Sequence, residues 1–160
     1  MARMMPSLWY AKDAEAAARH YVATIPDSRI DRVWTMQAAS PSRPPGSVKI
    51  VEFTIAGTPV TAMEAANPPG HFDESVSLTV EVETQSELDR IWDGLLDGGQ
   101  PQACGWLIDR WGLRWQIVPQ GLNDMMADPD TAAAARTAQA MMSMVKFDIA
   151  ALKAAHARTA

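Results

Sequence analysis

The order strand, helix and three further strands occurs twice in this chain. That duplication constrains the fold more than any other feature of the sequence. Leu8 to Tyr21 and Leu78 to Trp92 align at an offset of about 70 residues. Each copy opens on an apolar strand, and an aromatic residue sits on the helix that follows. Two copies are too few for a solenoid, whose stacked repeats need at least three units to bury a core. The pattern predicts an α+β protein built from two βαβββ modules.

In the first copy Leu8-Trp9-Tyr10 is a short apolar run, and Asp13 is the expected cap of a helix over EAAARHYVAT. Pro26 stops that helix, because the residue before a proline is pushed out of the helical region. Strands are expected at Ile30–Met36, Val48–Ile55 and Pro59–Glu64. The second copy opens on SVSLTVEVE, where Val76, Leu78, Val80 and Val82 alternate with polar residues at period two. Ser86 is the expected cap of ELDRIWDGLL, whose Leu88, Ile91, Trp92 and Leu95 recur at helical spacing. Gly98-Gly99 ends it. Strands follow near Gln100–Gln102, Trp106–Ile108 and Leu113–Val118.

Two proline-rich breaks, Ser40–Ser47 and Asn67–Gly70, read as loops, since proline cannot donate to a sheet ladder. Asp128-Pro129 is the expected cap and first residue of a helix over TAAAARTAQAMMSMVK, with IAALKAAHA forming another after Asp148. Ala134, Ala138, Met141, Met142 and Val145 share one side of the first of these helices, the expected buried face. The modules are thus placed at residues 5–66 and 74–120, with a helical tail at 121–158.

The formal charge of −5 and the absence of a Lys/Arg run argue against a nucleic-acid partner. The single Cys104 cannot form an internal disulfide. No run of apolar residues is long enough for a membrane span, and the first residues lack the apolar core of a signal peptide. A cytoplasmic location is expected. The 48% hydrophobic content is of two kinds. The chain has twenty-seven alanines, crowded mainly into the helices, and ten methionines, and six of the eleven aromatics are tryptophan.

Particular residues sharpen the pattern into a resemblance. Leu8-Trp9-Tyr10 with AEAAARHY and Ile25-Pro26-Asp27-Ser28-Arg29-Ile30 resembles the opening of the PhnB-like branch of the vicinal-oxygen-chelate superfamily, which includes glyoxalase I and the bleomycin-resistance proteins. The run Cys104-Gly105-Trp106-Leu107-Ile108-Asp109-Arg110-Trp111-Gly112-Leu113-Arg114-Trp115-Gln116-Ile117-Val118-Pro119 is similar to the motif of its second module. The tail from Asp128-Pro129 through Leu152 is similar too. The resemblance covers residues 5–155 and implies two modules forming an incomplete barrel, followed by C-terminal helices. Members of this branch often carry the label 3-demethylubiquinone-9 3-methyltransferase.

Superfamily enzymes hold a divalent metal that chelates two adjacent substrate oxygens and stabilises developing negative charge. The four ligand positions carried over by resemblance fall on Pro6, Glu64, Ser75 and Gln116. Proline has no donor, and serine and glutamine bring no charge, so the set is degenerate and no resident cofactor is expected. A Rossmann-type methyl-donor site would need a strand leading into a glycine-rich turn, which is absent.

The expected function is therefore binding of a small organic molecule without metal. Tyr10, His71, Ser75, Ser77, Trp106, Arg114, Trp115 and Gln116 are the candidate ligand contacts. Glu64, alone on an apolar strand, is the candidate general base, metal ligand or partner of Arg114. The alternatives are an enzyme, either metal-dependent or a methyltransferase as the family label says, and a non-catalytic scaffold. A homodimer is expected from the superfamily's habit, with the Met-rich tail as a contact face.

Overall fold

The computed structural model describes residues 2–40, 44–65 and 71–157. The prolines of Asn67–Gly70 lie outside the described residues, as do the central residues 41–43 of the first break. The chain forms two compact units, Met1–His71 and Phe72–Ala160.

The first unit contains β1 (Ser7–Tyr10), α1 (Ala14–Thr24), β2 (Arg29–Met36), β3 (Val48–Ile55) and β4 (Thr58–Glu64). The strands pair in the order β1-β4-β3-β2, parallel between β1 and β4 and antiparallel elsewhere. Period-two alternation divides this sheet. Leu8, Tyr10, Val51, Phe53, Val60 and Ala62 are buried, as are Ala14, Ala17, Ala18 and Tyr21 of α1. An alanine-lined helix can approach a sheet closely, which explains the many small residues in α1. The Tyr10 and Tyr21 hydroxyls meet at 3.0 Å within this layer, so each has a partner despite burial. Asp13 precedes α1 in a left-handed conformation and its side chain makes no capping bond.

The β3–β4 hairpin closes on Ala56-Gly57, both at positive φ (45° and 75°). That pair of conformations is the type I′ turn favoured between twisted strands.

The second unit contains β5 (Leu78–Val82), α2 (Gln85–Leu96), β6 (Gln100–Pro101), β7 (Trp106–Ile108), β8 (Arg114–Pro119), α3 (Leu122–Met126), α4 (Thr131–Met142) and α5 (Ile149–Ala157). Its sheet has the order β5-β8-β7-β6, again with the outer pair β5/β8 parallel. The repeated βαβββ order is therefore present in both units, and the fold is α+β with C-terminal helices.

The α2 stripe Leu88, Ile91, Trp92 and Leu95 is buried, together with Val80, Val82, Leu107, Trp115 and Ile117 of the sheet. Asp109 organises the turn between β7 and β8. Its buried carboxylate accepts the amides of Trp111 (2.8 Å) and Leu113 (3.0 Å) and the indole N–H of Trp115 (2.9 Å).

Several details differ from the sequence expectation. The strand begins at Leu78, and Val76 is 65% exposed, because alternation continues beyond the ladder that would give it meaning. Thr84 caps α2 by accepting the Glu87 amide, while the Ser86 hydroxyl meets that of Thr84. In the tail, Asp130 is the cap, accepting the amides of Ala132 and Ala133, and Asp128 instead accepts the Asp130 amide. The buried face of α4 is Ala133 and Thr137, one position from the predicted stripe, and Met142 is 63% exposed. α3 lies within the expected helical tail at 121–158, where no separate helix had been placed.

The tail docks on the second unit through specific bonds. Gln85 donates to the Phe147 carbonyl and accepts the Ile149 amide. The Cys104 and Gly105 amides donate to the carbonyls of Met144 and Val145. Gly105, at φ 75°, lies so close to the Phe147 ring that a Cβ there would sit 2.3 Å from the ring edge. Among the described residues no helix is long and apolar enough to cross a membrane.

Candidate functional site

Each sheet has one face covered by its helix and one face that its helix leaves open. In the first unit, register places Trp9 beside Met63, Met63 beside Ile50, and Ile50 beside Trp34. Thr61 similarly adjoins Glu52, and Glu52 adjoins Arg32. These residues form the open face. Glu52 accepts both the Arg32 guanidinium (2.6 Å) and the Trp34 indole N–H (2.9 Å). Arg32, followed by Trp34, holds the Glu52 carboxyl below the usual range.

Glu64 belongs to the other face. It is in register with Tyr10 and Lys49, and its Oε2 accepts the Ala14 amide at 3.3 Å. A carboxylate at a helix N-terminus satisfies an orphan donor and complements the helix dipole. Glu64 therefore supplies the cap that Asp13 does not make. Arg114, expected as its partner, instead donates to the Phe72 carbonyl (3.1 Å) and to Glu74 (3.2 Å).

In the second unit the open face carries Thr79 and Glu81 of β5, Arg114, Gln116 and Val118 of β8, and Trp106 and Ile108 of β7. Gln116 donates to the Ser77 hydroxyl at 2.8 Å, and Trp106 lies directly beside Gln116 in the ladder. The Arg114 side chain is only 15% exposed. Ser77, Trp106, Arg114 and Gln116 are thus gathered on one face.

The remaining candidates lie elsewhere. Tyr10 and Trp115 are buried on the helix-covered faces, Trp115 completely so, with its indole committed to Asp109. Their apolar bulk marked them as contacts, but strand parity turns them inward. Ser75 sits in the loop before β5, where its amide and hydroxyl both donate to Asp73 and hold that carboxyl below the usual range. His71 is an exposed loop residue. Trp34 and Met63 of the first open face were not among the candidates read from the sequence. The alternation Val60-Thr61-Ala62-Met63 contained the signal, since it places Met63 and not Glu64 opposite the buried residues.

A sequence model of the 3-demethylubiquinone-9 3-methyltransferase family matches residues 2–118. The chain belongs to this family. Among solved structures, this family member is similar to the PhnB protein of Bacillus cereus, with 24% identity, 74% of this chain and 99% of that one covered, and a TM-score of 0.65. Protein PA1353 from Pseudomonas aeruginosa is similar at 18% identity, covering 74% of this chain and 98% of that one, with a TM-score of 0.58. A variant of the fosfomycin resistance protein FosX from Listeria monocytogenes, complexed with Mn(II) and dihydroxypropylphosphonic acid, is similar at 13% identity. It covers 72% of this chain and 89% of its own, with a TM-score of 0.50. No curated protein matches. The fold of this 3-demethylubiquinone-9 3-methyltransferase family member is that of the vicinal-oxygen-chelate superfamily.

That superfamily implies a metal, and the residues at the inherited positions do not fit one. Pro6 has no side-chain donor atom, and its carbonyl is engaged by the Thr61 amide. Glu64 faces α1 and is engaged by the Ala14 amide. Ser75 is engaged by Asp73, and Gln116 by Ser77. Among the described residues no group of three or more His, Cys, Asp or Glu side chains is placed to hold an ion.

Proposed function

We propose that this chain binds a small organic molecule through the open face of its second sheet, without a resident metal. The observation that carries the reading is the grouping of Trp106, Arg114, Gln116 and Ser77 on a surface their own helix does not cover. Trp106 offers a flat apolar wall. Gln116 holds Ser77 with one amide hydrogen and keeps its carbonyl oxygen as an acceptor. Arg114 is anchored at Phe72 and Glu74, so its fork is pre-positioned at low entropic cost. A few fixed polar groups beside an aromatic wall are the usual composition of a small-molecule site.

A likeness below 25% identity carries the fold, not the chemistry, because this kind of fold hosts unrelated activities. The family label names methyl transfer. Each sheet here has only its outer pair parallel, which is not the consecutive parallel order of a dinucleotide-type donor site.

Isothermal titration with Mn(II), Ni(II) and Zn(II) tests the metal-free half of the reading. Weak or non-stoichiometric heats agree with it, and sub-micromolar binding at one ion per chain overturns it.

A further inference from the structure

The first unit contains a cavity of about 460 Å3 at the hairpin end of its sheet, sharing no residue with the group around Gln116. Its wall is completed by the segment that precedes β1. That segment is tied down where the Pro6 carbonyl accepts the Thr61 amide at 3.0 Å and the Thr61 hydroxyl approaches the Met5 sulfur at 3.5 Å. Arg3 and Met5 thereby line the same space as Pro59 of β4 and Gly57 of the hairpin.

Four charged residues line the cavity: Arg3, Arg29, Asp31 and Glu52. Three already have partners. Arg29 pairs with Asp31 at 2.7 Å, and the other Asp31 oxygen accepts the Thr54 hydroxyl at 2.7 Å. Glu52 is neutralised by Arg32, which lies outside the lining. Arg3 makes no hydrogen bond or ion pair among the described residues. Among the described residues the balance is one guanidinium without a partner, lining the same space as the apolar Met5 and Pro59. Thr54 and Asp31, bonded to each other, add a polar part to the lining.

We propose that this cavity binds a small organic monocarboxylate, its carboxylate held by the Arg3 fork and its apolar body against Met5 and Pro59. A single unmatched guanidinium suits a monoanion, and its planar geometry matches a carboxylate bidentately. A dianion would leave one charge uncompensated beside Asp31 and Glu52.

Phenylacetate is the probe, titrated into the full chain labelled with nitrogen-15. The amides of Thr54, Gly57 and Val60 shift saturably, while those of Trp106 and Gln116 stay in place. Phenylacetamide, which has the same shape without the charge, binds at least roughly tenfold more weakly, and Arg3→Gln weakens phenylacetate to a similar degree. Arg3 is exposed and makes no bond among the described residues, so the variant should fold as the parent does. Equal binding of the amide, tighter binding of phenyl phosphate, an unchanged affinity in Arg3→Gln, or shifts confined to the second unit would each overturn the proposal. Because the two sites share no residue, failure here leaves the reading of the Gln116 face standing.

Discussion

Replacing Asp109 tests whether Trp115 belongs to the core of the second unit or to a ligand wall. The Asp109 carboxylate accepts three N–H groups, two from the backbone and one from the Trp115 indole. Trp115 and Leu113 are 0% and 1% exposed, so water cannot replace the lost acceptor for either. Each stranded donor costs about 1–3 kcal/mol. The Trp111 amide is nearer solvent and contributes less. Asp109→Ala should therefore destabilise the second unit by about 4 kcal/mol, from two stranded donors of about 2 kcal/mol each. Asp109→Asn keeps one acceptor oxygen for the two amides and turns its own NH2 toward the indole, so it should cost about 2 kcal/mol. In a Trp115→Phe background that smaller cost should largely vanish, since the indole donor is gone. Urea denaturation followed through the Val80 and Ile117 amide resonances reports this unit alone. A cost below about 1 kcal/mol for Asp109→Ala, or no coupling in the double-mutant cycle, would refute the assignment.

Gly105→Ala should cost about 2–5 kcal/mol, combining the left-handed conformation with a Cβ driven into Phe147, and hydrogen exchange at Ile149 should accelerate as the tail loosens; a neutral variant would contradict the packing. Ala56→Asn should raise the stability of the first unit by about 0.5–1 kcal/mol, read by thermal unfolding, because asparagine accepts the positive φ of the hairpin turn more readily. Tail protection should also depend on pH through Lys146 and Asp89, 2.8 Å apart. Lys146 holds the Asp89 carboxyl low, with Gln85 adding to the effect, and Asp89 raises the Lys146 ammonium. The carboxylate's contribution is present above about pH 3.9 and lost as pH falls below it; the ammonium's is present below about pH 10.4 and lost above it. The protection factor of the Ile149 amide, its exchange rate relative to an unstructured amide at the same pH, should thus be highest between those limits, and a flat profile would show that the ion pair does not hold the tail.

Much of the fold was legible because the signals were local and repeated. The alternation of Val80 and Val82 and the helical spacing of Leu88, Ile91, Trp92 and Leu95 each fix a face without outside information. The caps were less legible, because Thr84 and Ser86, or Asp128 and Asp130, are chemically equivalent neighbours and only backbone geometry chooses between them. The α4 face was misplaced because alanine is apolar on every side, so periodicity in an alanine run carries little direction.

The candidate site was half legible. Ser77, Arg114 and Gln116 follow from strand parity in the second unit, and Trp106 joins them through the β7–β8 register. Glu64 looked chemical because a lone carboxylate on an apolar strand is conspicuous. Its partner, the Ala14 amide, lies fifty residues away on another element, and no local pattern announces such a bond. Trp115 was conspicuous for its size, yet the acceptor that retains it in the core is Asp109, six residues upstream across a turn. The composition's two materials do separate as expected in part: alanines line α1, but the tryptophans divide between the open faces and the core.

The central claim is that the open face of the second sheet binds an organic ligand without metal. A thermal-shift screen of metabolites, antibiotics and methyl donors, run with and without EDTA, tests it most directly. The account predicts a compound whose stabilisation of the chain persists in EDTA and is lost in both Trp106→Ala and Gln116→Ala. Stabilisation that appears only with added metal, or that survives both substitutions, would contradict it.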